Sequence, residues 1–112
     1  MKVRDAKCPA EFTLAMIGGR WKIPIIFHLL AGRQRFSELS RALKGVTQKM
    51  LTQQLREMER NGLVERKIYA QVPPKVEYAL TELGRSLFPV VDAMCQWGER
   101  HGRNGMGDGM RT

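Results

Sequence analysis

The chain has 112 residues, 43% of them hydrophobic and 27% charged, which is typical of one globular domain and not of a disordered chain. No apolar run approaches the roughly 20 residues that span a membrane, and the N-terminus lacks the apolar stretch of a secretion signal. We therefore expect a cytoplasmic protein that does not contact the membrane. The net charge of +8 favours a polyanionic partner, through long-range attraction and counterion release.

The positive charge is concentrated in the middle of the chain. Residues 33–75 carry ten basic and four acidic groups, whereas residues 1–32 carry five and two, and residues 76–112 carry four and five. This asymmetry predicts that the middle segment contacts the polyanion, and that the C-terminal segment contacts a second copy of the chain.

Two helices are predicted before residue 33. Cys8-Pro9 opens the first, because proline suits the first helical position, and Gly18-Gly19 ends it. The second begins near Arg20, since Pro24 is tolerated only in a first turn, and it ends at Ala31-Gly32. The apolar positions of the two helices are Phe12, Ala15, Met16, Trp21, Ile25, Ile26, Leu29 and Leu30.

Two further helices are predicted on either side of a turn at Lys44-Gly45. The third helix contains FSELSRAL, with Ser37 as its N-cap. The fourth begins after Thr47, a good N-cap, and ends at Asn61-Gly62, a good C-terminal stop. The apolar stripes of these helices are Phe36, Leu39 and Leu43 in the third, and Leu51, Leu55 and Met58 in the fourth.

The rest of the chain predicts a hairpin, a last helix and a tail. LVERKIYA and VEYAL alternate as strands do, and they flank a turn at residues 71–75 that contains two prolines. The last helix runs from about Thr81 to His101, with a kink or break just before Pro89. We expect one domain over residues 1–101 and a flexible Gly-rich tail over residues 102–112. The fold class is mainly α with a small β-hairpin (α+β), in the order of a winged helix-turn-helix.

The fourth helix has two chemically different faces. Leu51, Leu55 and Met58 point into the core together, and no acid precedes Glu57 in this helix. Arg and Lys suit guanine edges in the major groove and Gln suits adenine, so the opposite face is fit to read DNA. The predicted DNA-contacting residues of this helix are Gln48, Lys49, Thr52, Gln53 and Arg56. A merely solvated amphipathic helix is the alternative.

The hairpin adds basic side chains beside this helix. Arg66 and Lys75 are predicted to contact DNA, with Lys67 nearby, because a rigid basic ribbon suits the phosphate backbone or the minor groove. An edge hairpin whose lysines and prolines only discourage aggregation is the alternative.

The last helix carries an apolar seam that is typical of paired helices. Leu83, Leu87, Val90, Met94 and Trp97 follow one another at steps of four and three. A helix of about 20 residues is about 30 Å long, more than a small core covers, so we predict a homodimer through this helix and the first one. The predicted dimer contacts are Phe12, Leu87, Val90, Val91, Met94 and Trp97. The alternative is that the helix folds back over its own core.

The sequence resembles the HxlR-type regulators, a MarR-like branch of the winged-helix proteins. The matching segments, in family order, are Cys8-Pro9, IGGRWKIPII, RFSELSRALKGVTQKMLTQQLREMERNGLVER, VPPKVEYALTELGRSLFPV and Trp97-Gly98, which together span about four-fifths of the chain. The resemblance implies a transcriptional regulator that pairs through its terminal helices and reads a pseudo-palindromic double-stranded DNA operator. It implies DNA contact at the five residues of the fourth helix given above and near Lys75 in the wing.

The two cysteines are too few for a disulfide framework, and they form no zinc signature with the histidines. Cys8 lies at a helix N-terminus and follows Lys2, Arg4 and Lys7, and both surroundings stabilise a thiolate. The resemblance places redox and electrophile sensors at an N-terminal cysteine of this kind. We predict that an oxidant or small electrophile acts on Cys8, with Cys95 of the other subunit as resolving partner. Inert, packed cysteines are the alternative.

No catalytic constellation is evident. His28 lies in an apolar helix and His101 near a helix end, and there is no carboxylate pair, phosphate loop or nucleophile motif. We expect no enzyme activity, no cofactor and no metal. Two other functions remain open: a winged-helix regulator controlled by a non-covalent ligand, and a winged-helix module that contacts protein or RNA.

Overall fold

A computed structural model describes residues 7–102, so Lys2, Arg4 and all but the first residue of the predicted tail lie outside the described residues. Within residues 7–102 the elements are α1 (Pro9–Ile17), α2 (Lys22–Leu30), β1 (Gln34–Arg35), α3 (Phe36–Ala42), α4 (Gln48–Arg60), β2 (Val64–Tyr69), β3 (Lys75–Leu80), α5 (Glu82–Arg85) and α6 (Phe88–His101). No helix in this part of the chain is long and apolar enough to cross a membrane. The predicted winged helix-turn-helix architecture is confirmed.

Helix α4 has a specific signal at each end. At its start, the Thr47 side chain accepts a hydrogen bond of 3.0 Å from the Met50 N–H. At its end, Gly62 adopts a φ of 77°, and the Leu63 N–H donates to the Met58 carbonyl at 2.9 Å. This is the glycine-dependent C-terminal motif that the sequence predicted at Asn61-Gly62.

The predicted last helix is broken in two, at the predicted place. Helix α5 ends at Arg85, and Pro89 lies in the first turn of α6, where its missing N–H costs no helical hydrogen bond. Helix α5 also packs closely against the residue before β2, since a Cβ at Gly84 would collide with the Leu63 carbonyl oxygen. The contact fixes the start of the C-terminal segment against the hairpin.

The sheet has three antiparallel strands in the order β1-β3-β2. The hairpin pairs Val64 with Leu80 at its inner end and Tyr69 with Lys75 at its outer end. Strand β1 was not predicted, because two residues are too few to show alternation, and it is defined by the pairing of Gln34 with Tyr78 and of Arg35 with Glu77 on the free edge of β3.

The start of α3 corrects the sequence analysis. Ser37 was predicted to be the N-cap, but the helix begins at Phe36 and the N-cap is Arg35. The Glu38 carboxylate accepts a hydrogen bond of 2.7 Å from the Arg35 N–H, so Glu38 satisfies the backbone donor at the helix start.

One hydrophobic core lies between the helices and the inner end of the hairpin. Its largest fully buried side chains are Ile25, Ile26, Leu39, Leu51, Leu55, Met58, Leu63 and Val91. Val91 was predicted at the dimer interface, and this is a correction: at 0% exposure it lies in the core of its own chain and has no surface for a partner.

Candidate nucleic-acid interface

The outer face of α4 gathers the five predicted DNA-contacting residues of this helix. They line one shallow depression together with Arg60, which the sequence analysis did not include: Gln48, Lys49, Thr52, Gln53, Arg56 and Arg60. The opposite face is anchored in the core by Leu51, Leu55 and Met58. The helix therefore presents cations and amides on one side only, which is the chemistry that base edges and phosphates require.

On one side of its outer face, α4 forms an ion pair with α2. The Lys22 ammonium lies 3.2 Å from a Glu57 carboxylate oxygen, and Lys22 is the one charged residue among the described residues that is classed as buried. The preceding residue, Trp21, packs against the core, and a Cβ at Gly45 would lie 4.0 Å from its ring. The start of α2 thus lies close to the turn before α4 and pairs with α4 itself.

On the other side of its outer face, α4 forms an ion pair with the wing, the hairpin of β2 and β3. Arg66 on β2 lies 3.7 Å from Glu59 of α4, with both side chains well exposed. The neighbouring Tyr78 on β3 is half-buried, and this burial raises the pKa of its hydroxyl. Arg66 therefore lies beside the outer face of α4, and part of its charge is offset by Glu59.

Lys75 is held against the wing at its outer end. Its ammonium lies 4.6 Å from the centroid of the Tyr69 ring and 3.5 Å from Glu77, and Lys67 lies over the same ring at 5.0 Å. The Tyr69 hydroxyl donates a hydrogen bond of 2.8 Å to Glu77. This bond, with Lys75 and Arg33 nearby, lowers the pKa of the Glu77 carboxyl. Lys75 faces a carboxylate as well as solvent, which weakens its attraction for phosphate.

A second surface is apolar and lies on the terminal helices. Val90, Met94 and Trp97 are 37%, 46% and 63% exposed, and they fall within about 60° of one another around α6. On α1, Phe12 is also exposed, and the residues from Pro9 to Leu14 stand largely clear of the core. Leu87 packs partly against the core, so it offers less surface than Val90, Met94 and Trp97.

The two cysteines lie in different surroundings. Cys8 is exposed at the N-cap of α1, and its side chain makes no capping hydrogen bond. Cys95 is half-buried, and burial, followed by the nearby Glu99 and Asp92 carboxylates, raises the pKa of its thiol. At about 100° per residue, Cys95 lies about 100° around α6 from Met94, away from the middle of the apolar stripe.

Several contributors to this surface were not found from the sequence. Arg60 follows Arg56 by four residues, a spacing that puts both on the same face of a helix, but it was not among the predicted DNA-contacting residues. The ion pair of Glu57 with Lys22 joins residues far apart in sequence, and the contacts of Glu59 with Arg66 and of Tyr69 with Glu77 cross from one element to the next. Periodicity within a single helix or strand predicts none of these contacts. Among the described residues, no cluster of three potential metal ligands occurs.

Two helices joined by a tight turn, followed by a two-stranded wing and carrying a cationic outer face on the second helix, define a winged helix-turn-helix protein. Residues 16–106 match the family described as HxlR-like helix-turn-helix, and the chain belongs to this family. It is a transcriptional regulator of the HxlR and MarR type.

Other transcriptional regulators are similar to this chain in sequence and in structure. The chain is 55% identical over 92 residues to the HTH-type transcriptional regulator YybR of Bacillus subtilis, a match over 82% of this chain and 74% of YybR. The reduced form of the redox regulator HypR superposes with a TM-score of 0.80 at 54% identity, over 83% of this chain and 92% of HypR. The reduced form of the transcriptional regulator YodB from B. subtilis has a TM-score of 0.77 at 36% identity, over 88% and 97% of the two chains.

Proposed function

We propose that this protein binds a pseudo-palindromic DNA operator as a homodimer, and that chemical modification of Cys8 changes its affinity for that operator. The single observation that carries the proposal is the outer face of α4. Six cationic, amide and hydroxyl side chains line it, and its opposite face is fixed in the core. An α-helix fits the major groove, and Arg, Lys and Gln are suited to hydrogen-bond guanine and adenine edges there.

The wing contributes binding strength more than specificity in this proposal. Arg66 lies beside α4, where it reaches the phosphates that flank the groove. Lys75 contributes a weaker phosphate contact, because Glu77 already lies 3.5 Å from its ammonium. Since phosphate contacts carry no base identity, both residues act on all sequences alike.

Dimerisation is supported by the exposed apolar side chains on α1 and α6. Phe12, Val90, Met94 and Trp97 leave a surface that a second copy would cover. A twofold-symmetric dimer would present two copies of α4, which matches an operator with two half-sites about one helical turn apart.

The redox part of the proposal rests on the exposure and position of Cys8. The thiol is accessible at the start of α1, the helix expected at the dimer interface, and a structural neighbour at 54% identity is named a redox regulator. A peroxide would transfer one oxygen atom to the Cys8 thiolate, giving a sulfenic acid and hydroxide. The new group would alter the packing of α1 and thereby the spacing of the two α4 helices.

Cys95 is the proposed resolving thiol, and its surroundings make it a slow one. Its raised pKa leaves little thiolate at neutral pH to attack an oxidised Cys8 of the partner subunit. A sulfenic acid at Cys8 would therefore persist for longer before a disulfide between subunits forms.

Selection of bound duplexes from random DNA, with and without peroxide, tests the proposal. We expect the reduced protein to enrich a sequence with two inverted half-sites, and peroxide to lower the affinity for it. Cys8→Ser should abolish the response to peroxide, and Cys95→Ser should leave the first step intact. Enrichment of no sequence would refute the DNA-reading function, whereas a Cys8→Ser protein that still responds would refute only the sensor role.

A further inference from the structure

We propose that Glu57 is a positioning residue for DNA reading, and that its ion pair with Lys22 fixes the rotation of α4 about its own axis. The inference rests on the proposed function of the α4 face. It adds two residues, neither of which is expected to touch DNA, to the determinants of sequence specificity.

Helix α4 contains two acidic residues, and each is paired with a different neighbouring element. Glu57 pairs with Lys22 of α2, and Glu59 pairs with Arg66 of the wing. At about 100° per residue, Glu57 lies about 100° to one side of Arg56, and Glu59 about 60° to the other. Arg56, in the middle of the DNA-facing side chains, therefore has one ion pair on each side of it around the helix.

The two pairs differ in how firmly they hold the helix. The Lys22 side chain is 7% exposed and Glu57 is 39% exposed, with 3.2 Å between the charged atoms, whereas Arg66 and Glu59 are 44% and 37% exposed and 3.7 Å apart. Exposed pairs are screened by water and contribute little. A charge buried on one side must keep its partner, because leaving it unpaired in a low-dielectric site is costly. Lys22 thus restricts Glu57 to one place.

The position of α4 matters because base contacts tolerate little displacement. Side chains lie about 5 Å or more from the axis of a helix, so a rotation of about 10° moves them by about 1 Å. Hydrogen bonds between nitrogen and oxygen span only about 0.5 Å in length. A small rotation would therefore break the contacts that Gln53 and Arg56 make to base edges. Contacts from long side chains to phosphates would persist.

The experiment compares two variants with the same change of charge on the same helix. Affinity is measured for the duplex selected by the wild-type protein and for a scrambled duplex of equal length and composition. Glu57→Gln should lower the ratio of the two affinities about fivefold or more, the equivalent of one base contact. Glu59→Gln should raise both affinities slightly and change the ratio by less than about twofold. Equal ratios for the two variants would overturn the inference.

A second variant separates positioning from stability. Lys22→Met replaces the buried ammonium with an apolar side chain of similar length, and the Glu57 carboxylate that loses its partner is 39% exposed and stays in contact with water. We expect Lys22→Met to lower the ratio as Glu57→Gln does, with a melting temperature no lower than that of the wild type. A Lys22→Met protein that loses discrimination only in proportion to its stability would assign the pair a structural role and overturn the inference.

A double-mutant cycle completes the test. The Lys22→Met/Glu57→Gln protein should discriminate no worse than either single variant, because both changes remove the same pair. Lys22→Met combined with Glu59→Gln should be additive, and coupling between those two residues would also overturn the inference. A wild-type protein without any sequence preference would instead refute the proposed function itself.

Discussion

Helices α4 and α6 are both amphipathic, and they use their faces in opposite ways. In α4, Leu51 and Leu55 are almost wholly buried in the chain's own core and the outer face is polar and cationic. In α6, Val91 alone is buried, and Met94 and Trp97 are exposed apolar side chains. A helix that has buried its apolar stripe is free to meet a polyanion, whereas a helix that leaves one exposed offers a surface to a second protein.

The distribution of charge along the chain separates the same two regions. The middle segment, which contains α4 and most of the wing, carries ten basic and four acidic groups, and the C-terminal segment, which contains α6, carries four and five. Two copies of the basic segment would repel each other, while two copies of α6 can meet without that cost. Binding to DNA and pairing of subunits are thus assigned to separate surfaces.

The largest expected effect comes from placing a charge on the apolar stripe of α6. Met94→Glu should convert the dimer to monomers at micromolar concentration, because the carboxylate would be desolvated at the interface. Loss of the second half-site should reduce operator affinity about a hundredfold or more. Sedimentation equilibrium measures the first effect and operator titration the second.

The matched control is Gln96→Glu, which adds the same charge about 160° around α6 from Met94, at an exposed position where the only loss is a hydrogen bond to the Asp92 carboxylate that water can replace. The control protein should remain a dimer. If Met94→Glu were also a dimer, α6 would not be the pairing surface and the contrast between α4 and α6 would fail.

A smaller effect is expected from removing single side chains of the α4 face. Arg56→Ala and Gln53→Ala should each relax the base preference by about 1–3 kcal/mol, because each loses a base contact. Lys75→Ala should weaken binding to all duplexes alike and reduce the salt slope by less than about one unit, since Glu77 already offsets part of its charge. Titrations of selected and scrambled duplexes at several salt concentrations distinguish the two patterns. If all three variants lost affinity for the selected and the scrambled duplex equally, the distinction between residues that contact bases and residues that contact phosphates would be refuted.

The smallest expected effect is a pH dependence of the stability of the fold, which arises from one carboxyl group in the wing. The hydrogen bond from Tyr69, together with Lys75 and Arg33, lowers the pKa of Glu77 in the folded state. A lowered pKa stabilises the fold above the ordinary value of 4.5, and this stabilisation is lost as the pH falls through the lowered value. The urea midpoint of the wild type should therefore exceed that of Glu77→Gln at neutral pH, with a difference that shrinks in acid.

Glu65→Gln is the control for that experiment, because it removes an exposed carboxylate from the neighbouring strand. Its midpoint should differ little from that of the wild type at any pH. A constant difference between wild type and Glu77→Gln from neutral pH to below the ordinary pKa would contradict the assignment of the Tyr69 and Lys75 contacts.

Local signals in the sequence predicted most of the fold. Thr47 and Gly62 mark the ends of α4, Pro89 marks the break before α6, and the alternation around the proline turn predicts the hairpin. Each of these depends on residues a few positions apart, so the chain itself contains the information. The cationic face of α4 was predictable for the same reason, because helical periodicity sorts residues onto faces.

The remaining features depend on contacts between distant parts of the chain. Strand β1 is formed by its pairing with β3, and Lys22 is identified as a partner of Glu57 only when α2 lies beside α4. Val91 was placed on the wrong surface because α6 carries apolar residues on two of its faces. Its apolar stripe faces outward, while the adjacent Val91 turns inward to the core. Helical spacing alone does not distinguish these two apolar faces.

Hydroxyl-radical footprinting of the wild-type protein on its selected duplex tests the central claim most directly. The account predicts two protected segments, with centres about 34 Å or one helical turn apart, because two α4 helices of a symmetric dimer enter successive major grooves. Met94→Glu should lose this paired protection at the same protein concentration. A single protected segment on the wild-type footprint would contradict the account, because a dimer that binds through two α4 helices protects two. A paired pattern that Met94→Glu still produces as a monomer would contradict the assignment of subunit pairing to α6.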